Sequence, residues 1–327
     1  MNKPEFRITY ARFRFIMEAE EDCLMPPYMG STLRGAMGHA LRQMTCVIPH
    51  GDCKACMHRW QCAYAYIMAT GREETDSGGQ ARVQAIPAPY VIEPYISLTD
   101  EYKKGDCLSF HLLLIGKSIS LLPLFITAFE KAGATGLGKG RKKFILKQVE
   151  QEQDHVLMPI WSGGNQFISP PVPIEINIDK DEKFIAYGIT IQLETPLRLV
   201  DRGRLNDRPA FSVLMRAVFR RLDALGKIHG DGGLGIDYHS YLESASQVSI
   251  SHSHASWYDW ERFSSTQDTF MKLGGLIGEL SYTGDLALFL PFLRMTEILH
   301  AGKNTSFGLG RYRLMTKGSI SKQGGTI

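Results

Sequence analysis

Four cysteines fall within one short stretch, "CVIPHGDCKACMHRWQC", as Cys46, Cys53, Cys56 and Cys62. In a reducing compartment this C-x6-C-x2-C-x5-C spacing reads as a metal site, because four soft thiolates suit tetrahedral zinc. An iron–sulfur cluster is the alternative, although the spacing is not a common ferredoxin pattern. A set of unligated cysteines is the remaining reading. His50 and His58 lie between the cysteines and could replace a thiolate. Cys23 and Cys107 stand apart and read as small core residues.

A second group has the composition of a phosphate site. Residues 300–311, "HAGKNTSFGLGR", place Gly302, Gly308 and Gly310 among Lys303, Arg311 and the hydrogen-bonding side chains of Asn304, Thr305 and Ser306. Glycines admit positive φ and close backbone approach. Successive exposed amides form concave anion sites, to which the two cations add charge. His300 opens this loop, either as a proton-transfer group or as a cation closing a helix C-terminus.

A third group lies along "YMGSTLRGAMGHALRQM". At about 100° per residue, Leu33, Ala36, Met37, Ala40, Leu41 and Met44 share one side. Ser31, Arg34, Gly35, Gly38, His39 and Arg42 share the other. Two glycines inside a helix cost ~1 kcal/mol each relative to Ala, so they serve either close packing or ligand approach. His39, between two arginines, is the better acid–base candidate.

The elements that must position these groups follow from the whole chain. At 327 residues, with 44% hydrophobic and 22% charged, it has the size and composition of a soluble protein of two domains. No apolar run reaches the ~18 residues of a membrane span, and "MNKPEFRITYARFRF" lacks a signal peptide's apolar core. The expectation is a cytoplasmic protein with reduced cysteines and no membrane partner. A formal charge of +3 leaves any polyanion to local basic patches: Arg7, Arg12 and Arg14; residues 139–143; Arg216, Arg220 and Arg221. Each patch also reads as a solvated face.

The chain repeats itself. Residues 107–149 and 271–314 each run from an extended segment through a glycine, an apolar helix and a Gly-rich loop to a final strand. Gly116 and Pro123 keep the separation of Gly284 and Pro291, Ala132-Gly133 matches Ala301-Gly302, and Gly136-Leu137-Gly138 matches Gly308-Leu309-Gly310. Upstream lie a strand over 6–19 with a helix over 30–44, and a strand over 184–194 with a helix over 208–227. Strand–helix–strands–helix–strand, twice, predicts an α+β protein of two tandem ferredoxin-like (RRM-like) domains. These span 1–175, with the cysteine excursion 46–62 inserted, and 184–327; the Pro- and Gly-bearing stretch around 170–183 separates them. Both glycine loops follow a helix and precede a strand, the reverse of a dinucleotide fingerprint or P-loop. That order points to an extended polyanion rather than a nucleotide cofactor.

With "LRGAMGHALRQ", "GLGKGRKKFILKQV", "TPLRLVDRGRLNDRPAFSVLMRAVFRRL" and "AGKNTSFGLGRYRL", the chain resembles the RAMP superfamily of CRISPR systems. Within it the likeness is to the endoribonuclease that cuts the precursor transcript into guide RNAs. The resemblance implies metal-independent cleavage of CRISPR repeat RNA, in which a 2′-hydroxyl attacks the adjacent phosphate and leaves a 2′,3′-cyclic phosphate. It implies a helix histidine and an upstream tyrosine, here His39 and Tyr28. The family's lysine has no clear counterpart, which leaves Arg42 or Lys303 to substitute, with His300 as a rival histidine. RNA would be held by Arg34 and Arg42, by Lys139, Arg141 and Lys142, and by Gly302, Asn304, Ser306, Gly308, Gly310 and Arg311. The absence of an Asp/Glu set with two-metal spacing agrees with metal-free chemistry. The alternatives are a non-catalytic RAMP subunit that binds guide RNA in an effector complex, and a zinc-bearing structural module.

Overall fold

The computed structural model describes residues 6–317 except 49–51, 54, 69–71, 76–80, 85, 96–99, 139, 165–167, 179–185, 260 and 265–268. It is a mixed α and β protein built on antiparallel sheets, and it divides into two compact units. One comprises residues 9–175; the other comprises 176–327 together with 1–8.

In the first unit the chain forms β1 (Arg7–Ala19), α1 (Gly30–Thr45), α2 (Ala63–Met68), β2 (Tyr90–Pro94), β3 (Cys107–Ile115), α3 (Leu122–Thr135), β4 (Phe144–Gln153) and β5 (Val156–Ser162). The strands lie in the order β2-β3-β1-β4-β5, each antiparallel to its neighbour. Alternation along "RITYARFRFIMEA" sends Phe13, Phe15 and Met17 to one face. There they join Leu33, Met37 and Leu41 of α1 and Phe125 and Phe129 of α3 in one core. Phe110 stacks on Phe15 at 5.3 Å and meets Phe129 at a tilt, 4.8 Å between ring centroids. The intervening arginines are paired. Arg12 meets Glu93 at 3.2 Å, and Arg14 Nε donates to Glu150 at 2.6 Å. These two members of the sequence's first basic patch are therefore neutralised in place.

The second unit forms β6 (Gly188–Leu197), β7 (Val200–Asp201), β8 (Arg204–Leu205), α4 (Phe211–His229), α5 (Tyr238–Ser246), β9 (Ser249–Ser253), β10 (Ser256–Tyr258), β11 (Gly275–Thr283), α6 (Leu290–Leu299) and β12 (Tyr312–Lys317). Its main sheet runs β9-β11-β6-β12, with β10 also on β11. Pro123 and Pro291 sit in the first turns of α3 and α6, where a missing N–H costs no helical bond. The strand read over 184–194 begins at Gly188 among the described residues. The helix read over 208–227 starts three residues later, because Pro209 and Ala210 stay extended ahead of it.

Arg221 corrects the third basic patch. It lies inside the unit, 8% exposed, and not on a solvated face. Its Nε donates to the carbonyls of Leu299 (3.0 Å) and His300 (3.2 Å), and its Nη2 to Leu299 (2.8 Å). A guanidinium thus supplies partners for the carbonyls at the end of α6. Burial pulls its pKa down to about 9, which leaves it charged at neutral pH. Arg216 of the same patch pairs with Asp201 at 2.7 Å. Arg221→Leu keeps the bulk but strands two buried carbonyls, so it should lower unfolding free energy by about 2–3 kcal/mol. A urea transition read by far-UV circular dichroism measures this; an unchanged midpoint would mean that the carbonyls find other partners.

Candidate nucleic-acid interface

The two faces of α1 are as its sequence divides them, with one exception. Leu33, Met37, Ala40 and Leu41 are buried, Gly35 and His39 are exposed, and Arg34 and Arg42 are half-buried. Gly38 is the exception, since it is buried and a Cβ there would meet the Met68 side chain of α2. Gly35 has open space around it. One glycine therefore serves helix packing, and the other leaves a flat opening beside the polar residues.

His39 projects from this face with Nε2 2.8 Å from the side-chain amide nitrogen of Gln43, one turn along the helix. The Arg42 guanidinium lies 5.9 Å from the centre of the Tyr64 ring, which α2 supplies. Burial raises the Tyr64 phenol, Cys53 adds to the rise, and the charges of Arg42 and Arg34 oppose it. Arg34 also hydrogen-bonds Tyr90, which is wholly buried. The structure thus gathers Arg34, Arg42, Tyr64 and Cys53 beside α1. Tyr28 precedes the helix, and its phenol is pushed well above its ordinary range by burial and then by the Glu93 carboxylate. It can donate a hydrogen bond, but it is a poor base.

The glycine loops differ from what their composition suggests. In the second, Gly302, Gly308, Gly310, His300 and Asn304 all have positive φ. The amides of Ala301, Lys303, Phe307, Gly308 and Gly310 already donate to carbonyls, two of these being Pro196 and Arg198 at the end of β6. A Cβ on Gly302 would come 2.6 Å from the Arg198 carbonyl oxygen, and one on Gly310 would overlap Ala301. Gly308 and Gly310 are buried, so the expectation that they touch RNA is corrected: they are glycine because the loop folds on itself. His300 is corrected too. Its side chain has no exposed surface, and its Nδ1 lies 3.1 Å from the Leu309 carbonyl, so it braces the loop from within. Closing the helix end falls to Arg221. Lys303 is exposed, Asn304 and Ser306 are half-buried, and Arg311 pairs with Glu194 at 2.7 Å.

The first loop closes similarly, through paired backbone bonds between Leu137 and Lys142 (2.7 and 3.0 Å). Lys142 meets Glu21 at 2.9 Å, Arg141 is exposed at φ 48°, and Lys139 lies outside the described residues. Missing from the sequence reading is the hairpin of β7 and β8. Its turn, Arg202 (φ 47°) and Gly203 (φ 82°), displays Arg202 and Arg204. Beside it is an open concavity of about 520 Å³ lined by Asp201, Arg202, Arg204, Leu205, Asn206 and Asp207. The signal was a two-residue turn of positive-φ type within "VDRGRL".

Cys46, Cys53, Cys56 and Cys62 are all free and half-buried, and the Cys46 thiol donates to the Ile48 carbonyl at 3.1 Å. Burial raises the Cys53 thiol, Arg42 opposes the rise, and Cys46, Cys62 and Cys56 each add to it, so the four are neighbours. Among the described residues, however, no three His, Cys, Asp or Glu side chains are placed to hold a metal ion. His50 lies outside the described residues and His58 is exposed. Among the described residues, no helix is long and apolar enough to cross a membrane.

Comparison with known proteins adds two family matches. Residues 7–173, just over half of the chain, match the model AF_1859_N, described as an N-terminal domain. Residues 191–312 match the model described as CRISPR-associated endoribonuclease Cas6. An "Uncharacterized protein" of Archaeoglobus fulgidus is 22% identical over 300 residues, covering 89% of this chain and 92% of its own. A partial Cas6-RT-Cas1–Cas2 complex aligns with a TM-score of 0.56 at 12% identity, over 100% of this chain and 48% of that one. The chain therefore spans about half the length of that relative. The product complex of a Thermus thermophilus Cas6 aligns with a TM-score of 0.54 at 13% identity, over 94% of this chain and 100% of that one. At such identities the likeness is one of fold.

The contrast between the α1 glycines is testable. Gly35→Ala adds a methyl to open space and should stabilise the chain by up to ~1 kcal/mol. Gly38→Ala pushes the Met68 side chain aside and should gain less or lose. Thermal melts of the two variants would show the order, and a gain for Gly38→Ala that equals or exceeds that for Gly35→Ala would reverse the assignment.

Proposed function

We propose that this chain, which belongs to the AF_1859 N-terminal-domain family and is a RAMP-type protein of CRISPR repeat-RNA processing, cleaves the precursor transcript without a metal in the chemical step. The observation that carries the reading is the Cas6 endoribonuclease match over 191–312 in a chain whose α1 sets an exposed histidine beside two arginines. The strand orders β2-β3-β1-β4 and β9-β11-β6-β12, with a long helix after the first strand (α1, α4) and another before the last (α3, α6), support reading both units as ferredoxin-like, each with one short additional helix (α2, α5).

In the proposed reaction His39 takes the proton of a 2′-hydroxyl as that oxygen bonds to the adjacent phosphorus. The bond from phosphorus to the 5′-oxygen breaks, and that oxygen takes up a proton from solvent water. The products are a 2′,3′-cyclic phosphate and a 5′-hydroxyl. The Gln43 amide donates to the Nε2 lone pair, so this bond would give way to the 2′-hydroxyl before the proton moves to Nε2. Arg34 and Arg42, on the same helix as His39, would offset the charge of the phosphorane, and Tyr28 would serve as a hydrogen-bond donor. Lys303, Arg141, Lys142 and the hairpin arginines would contact the RNA backbone as charges. The test is single-turnover cleavage of a labelled repeat RNA in chelator. His39→Ala should slow it by about 10²–10⁴ with RNA affinity little changed, and a 2′-deoxy residue at the cut should leave the RNA bound but intact. Cutting of the deoxy substrate would exclude attack by the 2′-hydroxyl.

The four cysteines stand as a second proposal, a structural zinc ion or, alternatively, an iron–sulfur cluster. Their spacing and shared neighbourhood support it, although their side chains would have to close together around the ion. Elemental analysis of protein purified without added metal should find about one equivalent of bound metal. Less than about a tenth of an equivalent of zinc plus iron would leave the excursion a set of free thiols.

A further inference from the structure

The excursion between α1 and α2 holds an aromatic group that neither the cleavage chemistry nor a metal site uses. Trp60 is 63% exposed, with the Arg59 guanidinium carbon 4.5 Å from its ring centre. Two successive turns fix it, since the Arg59 amide donates to the Cys56 carbonyl and the Gln61 amide to His58, both at 3.1 Å. α2 begins three residues later and is anchored to α1 where Met68 lies against Gly38, with Ile67 buried. Met57 and Val47 are also exposed nearby in sequence, so the segment presents apolar groups to solvent.

Charge decides what this surface fits. From residue 30 to residue 68 the sequence has four cations, Arg34, Arg42, Lys54 and Arg59, against one carboxylate, Asp52. The same segment carries a second arginine–aromatic pair, Arg42 beside Tyr64. Aromatic rings interleaved with cations on a carboxylate-poor surface suit a single-stranded nucleic acid, whose bases stack while its phosphates meet the cations. An apolar protein partner would not call for that charge.

We propose that Trp60, backed by Arg59, stacks on an unpaired nucleobase of the RNA that α1 receives, so that the excursion selects RNA with a single-stranded segment. The inference rests on the RNA-processing reading but has its own readout. Binding would be measured for the unmodified chain, Trp60→Leu and Trp60→Phe, with a short unstructured RNA and with a blunt RNA duplex. Trp60→Leu preserves apolar bulk but removes the π face. It should weaken the unstructured RNA roughly 5- to 150-fold and leave the duplex within about twofold, while Trp60→Phe retains most of the affinity. The difference in fluorescence quenching between the unmodified chain and Trp60→Phe reports the stack directly. Unchanged affinity of Trp60→Leu for the unstructured RNA overturns the proposal. Equal losses on both RNAs, a loss of self-association in place of RNA affinity, or an unmodified chain that binds neither RNA also overturns it. A chain that shows the Trp60 effect yet cuts no RNA keeps the stacking site and loses the cleavage reading.

Discussion

A helix that ends inside a protein must find partners for its last carbonyl groups, and α6 finds them in one buried guanidinium. Arg221 reaches from α4 to the carbonyls of Leu299 and His300, which fixes where the chain leaves α6. The glycine loop follows from that exit. His300 turns at φ 61° with its imidazole inward against Leu309, and Ala301 and Gly310 then close by a backbone bond of 3.0 Å. The Thr195 hydroxyl completes the closure, donating to Gly308 and accepting from the Arg311 amide, both at 2.8 Å. A loop so fully bonded to itself and to β6 is a rigid mount, and Lys303 at its tip is what it offers to solvent.

Similar economy operates at α1, where one helix packs a core on one side and carries Arg34, His39 and Arg42 on the other. Its apolar seam is held by α3 and the sheet, while on the other side Gly38 meets Met68, Arg34 reaches the buried Tyr90 and Arg42 lies beside Tyr64. That glycine lets α2 approach, and α2 carries Tyr64 to Arg42. The cysteine excursion is thus tied at both ends to the helix that bears His39. That tie brings the Cys53 thiol and the Tyr64 ring beside Arg42.

These same residues show how much was legible in the sequence. The faces of α1 were readable because helical period is local, and the internal repeat because Pro123 and Pro291 mark equivalent first turns. Burial of Arg221 and His300 was not readable, since each depends on a partner brought close by the fold. Arg221 bonds to carbonyls 78 and 79 residues away. Nor could composition tell glycines required by a loop's own backbone from glycines that admit a ligand, because both need small side chains and positive φ. The surroundings separate them: a Cβ on the buried Gly310 would overlap Ala301, whereas one on the exposed Gly35 would enter open space.

Net charge is the least informative of the sequence quantities, and the pairing of the arginines explains why. Arg12 meets Glu93 on β2, beyond the intervening β3, Arg14 meets Glu150 on the adjacent β4, Arg216 meets Asp201, and Arg311 meets Glu194. Among the described residues Arg202, Arg204 and Lys303 form no ion pair, and they lie on a hairpin turn and a loop tip. Residues 30–68 add a run with one carboxylate to four cations. A polyanion responds to such local fields over roughly a Debye length, about 8–10 Å at physiological salt. A chain of formal charge +3 can therefore present locally cationic surfaces, because several of its carboxylates are paired with arginines within the folded units.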